Sequence, residues 1–459
     1  MLKRYVGDKA FYRLVIAVAL PIMLQNGITN FVSMLDNIMV GRLDITQMNG
    51  AAIANQLLLI FNLCIFGAVA GAGIFSTQFF GKGDWDSIRH VFRFKLLLAC
   101  GLTAAAVAIF LIFHAPLISL YIDAGEDPAA IAATAAAAKR YLFVILIGLL
   151  PFALTQCFSG TLRECGETVL PMQAGIIAVS VNLLFNWLLI YGNLGFPALG
   201  VVGAATATAL SRFVELGIVV VWTVKHREQF PFIKGALRSL YIPLKLVGRV
   251  SAKGVPLMCN EALWALSVAF LNQCYATRGL SAVAAANITQ TFNNLFSVSY
   301  QAVGIAVGII LGQLLGAGEF KKVKADYPRL LAFAVVASLA MAALFGGFSG
   351  VIPMLYNTPD TVKALATQMI IVTACGIPLQ AYAFAAYFAI RSGGNMLVTI
   401  LMDCGVSYVC VMPVIFLLSR YTSVSVVWLC VAYEALNCIK CFLGAWLLKR
   451  GNWMKNIVS

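Results

Sequence analysis

The sequence predicts an all-α polytopic membrane protein with twelve transmembrane helices, arranged as two parallel six-helix repeats around a central cavity. Three observations predict this fold. Hydrophobic residues form 61% of the chain and charged residues only 11%, whereas soluble domains carry about 25% charged residues. Twelve apolar segments are long enough to cross a bilayer, and the second half of the chain repeats the first. A soluble fold has too little interior for so much apolar surface, so lipid must be the solvent.

Each apolar segment reaches the length of about 20 residues that a helix needs to cross the hydrocarbon core. Proline lies inside several of them, which a membrane helix tolerates where neighbouring helices or water satisfy the freed carbonyl groups. The predicted spans are residues 11–40, 49–79, 91–113, 138–160, 168–191, 199–224, 246–276, 281–315, 328–353, 362–390, 396–419 and 422–448.

The basic residues predict the orientation. With the N-terminus inside, the internal loops and both ends hold 24 of the 32 Lys and Arg, and the external loops hold six. This asymmetry places both termini in the cytoplasm of a multi-pass protein in the cell membrane. The basic residues that give the net charge of +14 then lie beside anionic lipid of the inner leaflet. The positive charge therefore does not indicate a nucleic-acid partner.

An internal repeat appears when the chain is moved along itself by 235 residues (256 − 21), which aligns Pro21 with Pro256. The match reaches the end of the second helix, where Ser76–Asp84 aligns with Leu311–Glu319. Because each half holds an even number of spans, both halves enter the membrane from the same side and form parallel repeats. We therefore expect residues 1–224 to form an N-lobe, 225–245 a cytoplasmic linker and 246–459 a C-lobe. We interpret the basic loop between the lobes as a solvated linker.

The first, fifth and sixth helices carry polar side chains within the membrane. An ionised group there costs about 2.5–3.5 kcal/mol or more, so we expect these side chains to have a structural or functional role. Asp36 lies in the outward part of the first helix, and Asn182 and Asn186 project from one face of the fifth. The sixth helix offers Thr206 and Thr208. One carboxylate, two amide carbonyls and a hydroxyl suit a small hard cation. A proton on Asp36 and simple interhelical hydrogen bonding are the alternatives.

Glu261 lies near the middle of the seventh helix, one turn from Trp264, and its repeat mate is Asn26. An acid near aromatic faces is able to hold an organic cation through charge and cation–π attraction. Asn26 and Asn30, on a polar face of the first helix, are further candidates for substrate or proton contact. The alternative for Glu261 is a hydrogen bond to a neighbouring helix.

The remaining intramembrane charges receive structural interpretations. Arg212 and Glu215, three residues apart, should neutralise each other, and Glu434 should pair with Lys440 or with another helix. Asp403 begins the eleventh helix and is given a structural role. The sequence has no catalytic constellation and no nucleotide-binding Gly-rich motif, so it predicts neither an enzyme nor a cofactor.

Five segments in order resemble the multidrug and toxic compound extrusion (MATE) family over essentially the whole chain. They are LPIMLQNGITNFVSMLDNIMVGRL, QFFGKGD, the stretch from PFALTQCFSG to GAATATALS, GVPLMCNEALW, and RSGG at Arg391. The resemblance implies an antiporter that exports amphipathic cationic compounds against inward Na⁺ or H⁺, from a cavity opening alternately to each side. It implies small organic cations and the bilayer as partners, with no obligate protein partner.

The same resemblance implies site residues. The N-lobe cation site of the family maps onto Asp36, Asn182, Asn186 and Thr208, and the first three would be metal ligands only if the coupling ion is Na⁺. The seventh-helix acid of the family resembles Glu261, while Gln380 is near where a tenth-helix acid should fall.

Two other functions remain open. A flippase for lipid-linked oligosaccharides, from the same wider superfamily, would need a strongly cationic cavity for pyrophosphate, whereas most of the intramembrane charges here are acids. A channel or receptor would not need a parallel repeat of six plus six helices.

Overall fold

Twelve long apolar helices make up the structure, a computed structural model that describes residues 5–122 and 127–459 except for the side chain of Asn37. Each predicted span overlaps one of them, and no strand occurs in the described residues, so the predicted all-α membrane fold is confirmed. The helices are α1 (Lys9–Gly41), α2 (Ile45–Lys82), α3 (Trp85–Ser119), α4 (Pro128–Glu164), α5 (Val169–Tyr191), α6 (Val201–Lys225), α7 (Leu244–Ala276), α8 (Leu280–Gly316), α9 (Phe320–Gly347), α10 (Asp360–Ser392), α11 (Met396–Tyr421) and α12 (Val426–Arg450).

Helix ends follow the repeat. With 38 residues, α2 is about 57 Å long at 1.5 Å per residue, so it continues well beyond a hydrocarbon core of about 30 Å. Gly83, whose φ is 77°, directly follows the end of α2, and Gly318, whose φ is 75°, lies two residues after the end of α8. Such left-handed positions favour glycine because it has no Cβ. The two glycines lie 235 residues apart (318 − 83), the offset of the sequence repeat.

Helix α11 departs from regular α-helix in its middle. Leu401–Gly405 and Ser407–Val411 are π-helical, a wider winding that is rare and occurs frequently at functional sites. The first of these stretches carries Asp403. Helix α11 therefore presents this acid from a widened turn.

The chain packs as two compact units. The N-terminal unit comprises Leu24–Ser76 and Asp84–Met258, and the C-terminal unit comprises Met1–Met23, Thr77–Gly83 and Cys259–Ser459. The start of α1 and the end of α2 thus pack with the C-terminal helices. The predicted lobes, 1–224 and 246–459, were bounded by the sequence repeat, whereas these units are defined by packing. The lobes therefore stay a prediction.

In the N-terminal unit, α4 packs against α3 and α6, and the segment after α6 packs on α3. The Arg93 guanidinium donates to the carbonyls of Ala236, Gly235 and Tyr241 at 2.8, 2.9 and 3.1 Å. The Phe232 ring is fully buried, with its centroid 5.1 Å from that of Phe92. One arginine and one aromatic ring therefore fix this segment to α3, although most of its residues are exposed. Its interpretation as a solvated linker stays a prediction.

In the C-terminal unit, α10 packs against α8, α9 and α12. The residues after α12 contact the ends of α8 and α10, since Asn456 donates to Gly316 O at 3.2 Å and Trp453 O lies against Gly393. The Gln78 amide donates to Ser392 O at 2.8 Å and accepts from the Ile457 backbone N–H at 2.8 Å. A Cβ on Gly81 would lie 1.9 Å from Gln313 O, and a Cβ on Gly316 would lie 1.9 Å from Gln78 O. These reciprocal contacts join backbones so closely that only glycine fits either position.

We predict that Gly81→Ala destabilises the protein, because the added methyl would overlap a backbone oxygen that cannot move without shifting α8. The cost should be about 1–3 kcal/mol, the range of overpacking substitutions. Gly101→Ala is the matched control, since a Cβ there meets nothing within 4 Å. Thermal unfolding of the purified variants in detergent should show a lower midpoint for Gly81→Ala only. Equal midpoints would contradict the close contact between α2 and α8.

Candidate cation site

Asp36 lies on α1, half-buried, among polar side chains of α5 and α6. Asn186 donates through Nδ2 to the Asp36 carboxylate at 2.7 Å. Asn182, with its amide nitrogen turned to Asp36, donates to the two carboxylate oxygens at 2.9 and 3.1 Å, and its oxygen accepts from the Thr208 hydroxyl at 3.2 Å. The structure thus brings together the four residues that the resemblance implied, all within the N-terminal unit.

The helices place these side chains by spacing and by close packing. Asn182 and Asn186 are four residues apart on α5, so they project from the same face. They are 6% and 1% exposed. A Cβ on Gly203 would lie 2.4 Å from Leu189 O, so the glycine lets α6 approach α5 closely. Thr208 follows one and a half turns later and reaches Asn182.

Among the described residues, the groups that hydrogen-bond the Asp36 carboxylate are neutral amides. In the described part of the chain it forms no ion pair, because the nearby guanidinium of Arg212 bonds to Glu215 at 3.2 Å. The expected neutralisation of Arg212 by Glu215 is thereby confirmed. Asn186 Oδ1 is buried and has no hydrogen-bond partner among the described atoms. The site therefore combines a carboxylate without a basic partner and an unused acceptor oxygen.

The residues predicted to contact the substrate or a proton do not all lie in one unit. Glu261 and Trp264 lie on α7 in the C-terminal unit, whereas Asn26 and Asn30 lie on α1 in the N-terminal unit. Glu261 is half-buried and takes part in none of the hydrogen bonds or ion pairs within the described ranges; the charge of Arg391 acts on it. Trp264 is 50% exposed. Asn26 is half-buried, and Asn30 is exposed.

The sequence did not predict the polar partners of α12. Lys440 donates to Asp403 at 2.8 Å, and Asn260 of α7 donates to the same carboxylate at 3.2 Å. Glu434 instead accepts two contacts from the Gln380 amide of α10, at 2.9 and 3.0 Å. The expected pairing of Glu434 with Lys440 is wrong, because Lys440 pairs with Asp403. Another helix does contact Glu434, but within the described residues it supplies a neutral amide and no neutralising charge. The polar spacing on α12 was the available signal, but the partners lie 37 and 54 residues away in sequence.

A buried ion pair between α3 and α4 also escaped prediction. The Lys95 side chain is 0% exposed, and its ammonium lies 2.5 Å from Glu164 and 3.1 Å from the Thr161 hydroxyl. A Cβ on Gly73 of α2 would lie 2.2 Å from Glu164 Oε1. Any larger side chain at this position would therefore clash with the carboxylate. The predicted span 91–113 contains Lys95, but its partner Glu164 lies 69 residues away in sequence.

We predict that Lys95→Met destabilises the protein by about 3–5 kcal/mol, because it leaves the Glu164 charge buried without its partner. Lys95→Met combined with Glu164→Gln should recover much of that loss, since the second change removes the uncompensated charge. Unfolding midpoints of both variants in detergent test this coupling. A double variant no more stable than Lys95→Met alone would contradict it.

Comparison with protein families finds a match to the family model described as MatE, over residues 21–188 and 256–417. The two matched segments begin 235 residues apart (256 − 21), which is the offset of the internal repeat. The parallel repeat predicted from the sequence is thereby confirmed.

Curated relatives match over nearly the whole chain. A protein of Thermotoga maritima, described as probable multidrug resistance protein NorM, is 24% identical over 452 residues, which cover 96% of this chain and 93% of that protein. Probable multidrug resistance protein YoeA of Bacillus subtilis is 25% identical over 430 residues, covering 92% and 90%. These identities leave individual site residues to be assigned from the geometry.

Solved structures show the same fold. One, described as the outward-facing conformation of a multidrug resistance MATE family transporter of the MOP superfamily, superposes with a TM-score of 0.86 at 19% identity. The superposition covers 99% of this chain and 98% of the other. The likeness establishes the twelve-helix fold.

Proposed function

The chain belongs to the MatE family, and from that premise we propose that it exports amphipathic, mostly cationic organic compounds in exchange for inward Na⁺ or H⁺, by alternating access. One observation carries the proposal: the Asp36 carboxylate lies within a membrane helix and its hydrogen-bond donors are the neutral amides of Asn182 and Asn186. The relatives described as multidrug resistance proteins support the choice of cargo.

A cation that binds Asp36 would couple to transport through the energetic cost of the bare charge. An ionised carboxylate within a membrane helix is unfavourable unless it is compensated, and two amide donors compensate it only in part. Binding of a cation removes that cost in the state where the cation reaches Asp36. A ligand shifts an equilibrium only by its differential affinity for the two states, so Asp36 must be loaded in one state and empty in the other.

The hydrogen bonds around Asp36 define what each candidate ion requires. A proton on the carboxyl group needs an acceptor, and the unused Asn186 Oδ1 becomes that acceptor if its amide turns over. Sodium needs oxygen ligands, whereas the amides turn their N–H groups toward the carboxylate. Asn182 and Asn186 would have to rotate so that their oxygens, with the Thr208 hydroxyl, complete the shell. Both ions therefore use the same four side chains with different amide orientations.

The charges of the spans favour a cationic cargo. Lys95, Arg212 and Lys440 each pair with an acid, while Asp36, Glu261 and Glu434 have no ion-pair partner among the described residues. Glu261, with Trp264 one turn away on α7, is the proposed contact for an organic cation. A flippase for pyrophosphate-linked lipids would need the opposite charge excess, which argues against that alternative.

The distribution of basic residues supports the proposed location. We assign the protein to the cell membrane with both termini and the segment after α6 in the cytoplasm, because 24 of the 32 Lys and Arg fall on that side.

We predict that Asp36→Asn abolishes export against a gradient while membrane insertion and folding persist, because the amide keeps the shape of the carboxyl group and loses its charge. Efflux of a cationic dye from energised cells measures the effect. The control is Asp44→Asn, which removes an exposed acid whose side chain caps the start of α2 through the Thr46 backbone N–H at 3.2 Å. Asp44→Asn should export at close to the wild-type rate. Continued export by Asp36→Asn against a gradient would move the coupling site elsewhere, with Glu261 the first candidate.

A further inference from the structure

Glu434 of α12 is a second carboxylate within a membrane helix. Within the described ranges, its carboxylate accepts hydrogen bonds from one neutral amide and from no basic side chain. The Gln380 nitrogen lies 3.0 and 2.9 Å from its two oxygens. Three acids in the described membrane helices of this unit form ion pairs: Asp326 with Arg329 at 2.9 Å, Asp360 with Lys363 at 3.6 Å, and Asp403 with Lys440 at 2.8 Å. Glu434 forms no ion pair within the described residues, so a compensated structural role does not account for it.

Helix α10 is shaped around this carboxylate. Gly376 and Gln380 lie one turn apart, on the face that meets α12. A Cβ on Gly376 would lie 2.3 Å from Glu434 Oε2, so the absence of a side chain there makes room for the acid. The Tyr300 hydroxyl of α8 donates to Gln380 Oε1 at 2.9 Å. That bond holds the amide with its nitrogen toward the carboxylate.

The other titratable groups around Glu434 supply no free positive charge. Tyr275 of α7, Tyr300 of α8, and Cys430 and Tyr433 of α12 interact with it electrostatically, and each is uncharged near neutral pH. Lys440, one and a half turns further along α12, is the cation that acts on it, and its ammonium is bonded to Asp403. The N-terminal unit holds Asp36 in the same way, by amides without a basic partner.

We propose that Glu434 is a second proton site of this transporter, built into the C-terminal unit and independent of Asp36. The proposal depends on the proposed antiport only for the use that transport makes of this proton. Binding and release of a proton at Glu434 are properties of the C-terminal unit itself. The chemistry is a single protonation: a lone pair of one carboxylate oxygen takes the proton, and the charge falls from −1 to zero. No other bond forms or breaks.

Protonation must reverse the hydrogen bonds of Gln380. The new O–H of Glu434 needs an acceptor, and the Gln380 nitrogen is only a donor. If the amide turns over, its Oε1 accepts from the acid and its nitrogen donates to the Tyr300 oxygen. Gln380 thus has two stable orientations, one for each charge state of Glu434. The Tyr300 hydroxyl donates to the amide oxygen in one orientation and accepts from the amide nitrogen in the other.

The test is infrared difference spectroscopy of the protein in reconstituted membranes, recorded between acid and alkaline pH. The wild-type protein should show the C=O stretching band of a protonated carboxyl group that Glu434→Gln lacks. Glu319→Gln, at an exposed acid paired with Lys322, is the control and should keep that band. Identical wild-type and Glu434→Gln difference spectra would overturn the proposal, because Glu434 would then not change its charge.

Two more variants keep the test decisive. Tyr300→Phe retains the carboxyl group but removes the hydroxyl that orients Gln380, so the Glu434 band should persist at a changed frequency; an unchanged frequency would contradict the role of Gln380. Asp36→Asn should retain the Glu434 band even when gradient-driven export is lost. Loss of that band in Asp36→Asn would show that the two sites are not independent. Failure of Asp36 as the coupling residue would leave the band of Glu434 unaffected.

Discussion

The cost of a charge inside hydrocarbon governs where the polar side chains of this protein lie. An ionised group at mid-membrane costs about 2.5–3.5 kcal/mol or more, and most of the acids found in the described helices form ion pairs within one unit. These pairs include Lys95 with Glu164, Arg212 with Glu215, Arg329 with Asp326, and Lys440 with Asp403. The acids that remain without a basic partner among the described residues are Asp36, Glu261 and Glu434. The proposed function and the proposed second proton site place their cation contacts at these three acids.

Much of the fold follows from local pattern, because a membrane helix must be long and apolar throughout. The twelve spans and the 235-residue repeat were therefore predictable. The group around Asp36 was also within reach, since Asn182 and Asn186 share a helix face and few polar groups are tolerated in lipid. The partners of Lys440 and Glu434 were not, because they depend on how α10, α11 and α12 pack. Packing between residues distant in sequence leaves no periodic signal.

The same limit explains the segment after α6. Its basic composition is that of a solvated loop, yet Arg93 satisfies three of its carbonyl groups and Phe232 fills a space beside Phe92. Likewise, the sequence analysis placed Gln78 only within the repeated stretch Ser76–Asp84, whereas the Gln78 amide joins the end of α2 to the C-terminal tail. A single buried amide or guanidinium fixes an otherwise irregular segment because buried carbonyl groups must be hydrogen-bonded.

The central claim is that an organic cation and an inorganic cation exchange across the membrane. The most direct measurement uses purified protein in sealed vesicles with no imposed Na⁺ or H⁺ gradient, to which an organic cation is added on one side. The account predicts that Na⁺ or H⁺ moves in the opposite direction, and that separate recordings of the internal pH and of sodium flux identify the ion. Uptake of the organic cation with no counterflow of either ion would contradict the account.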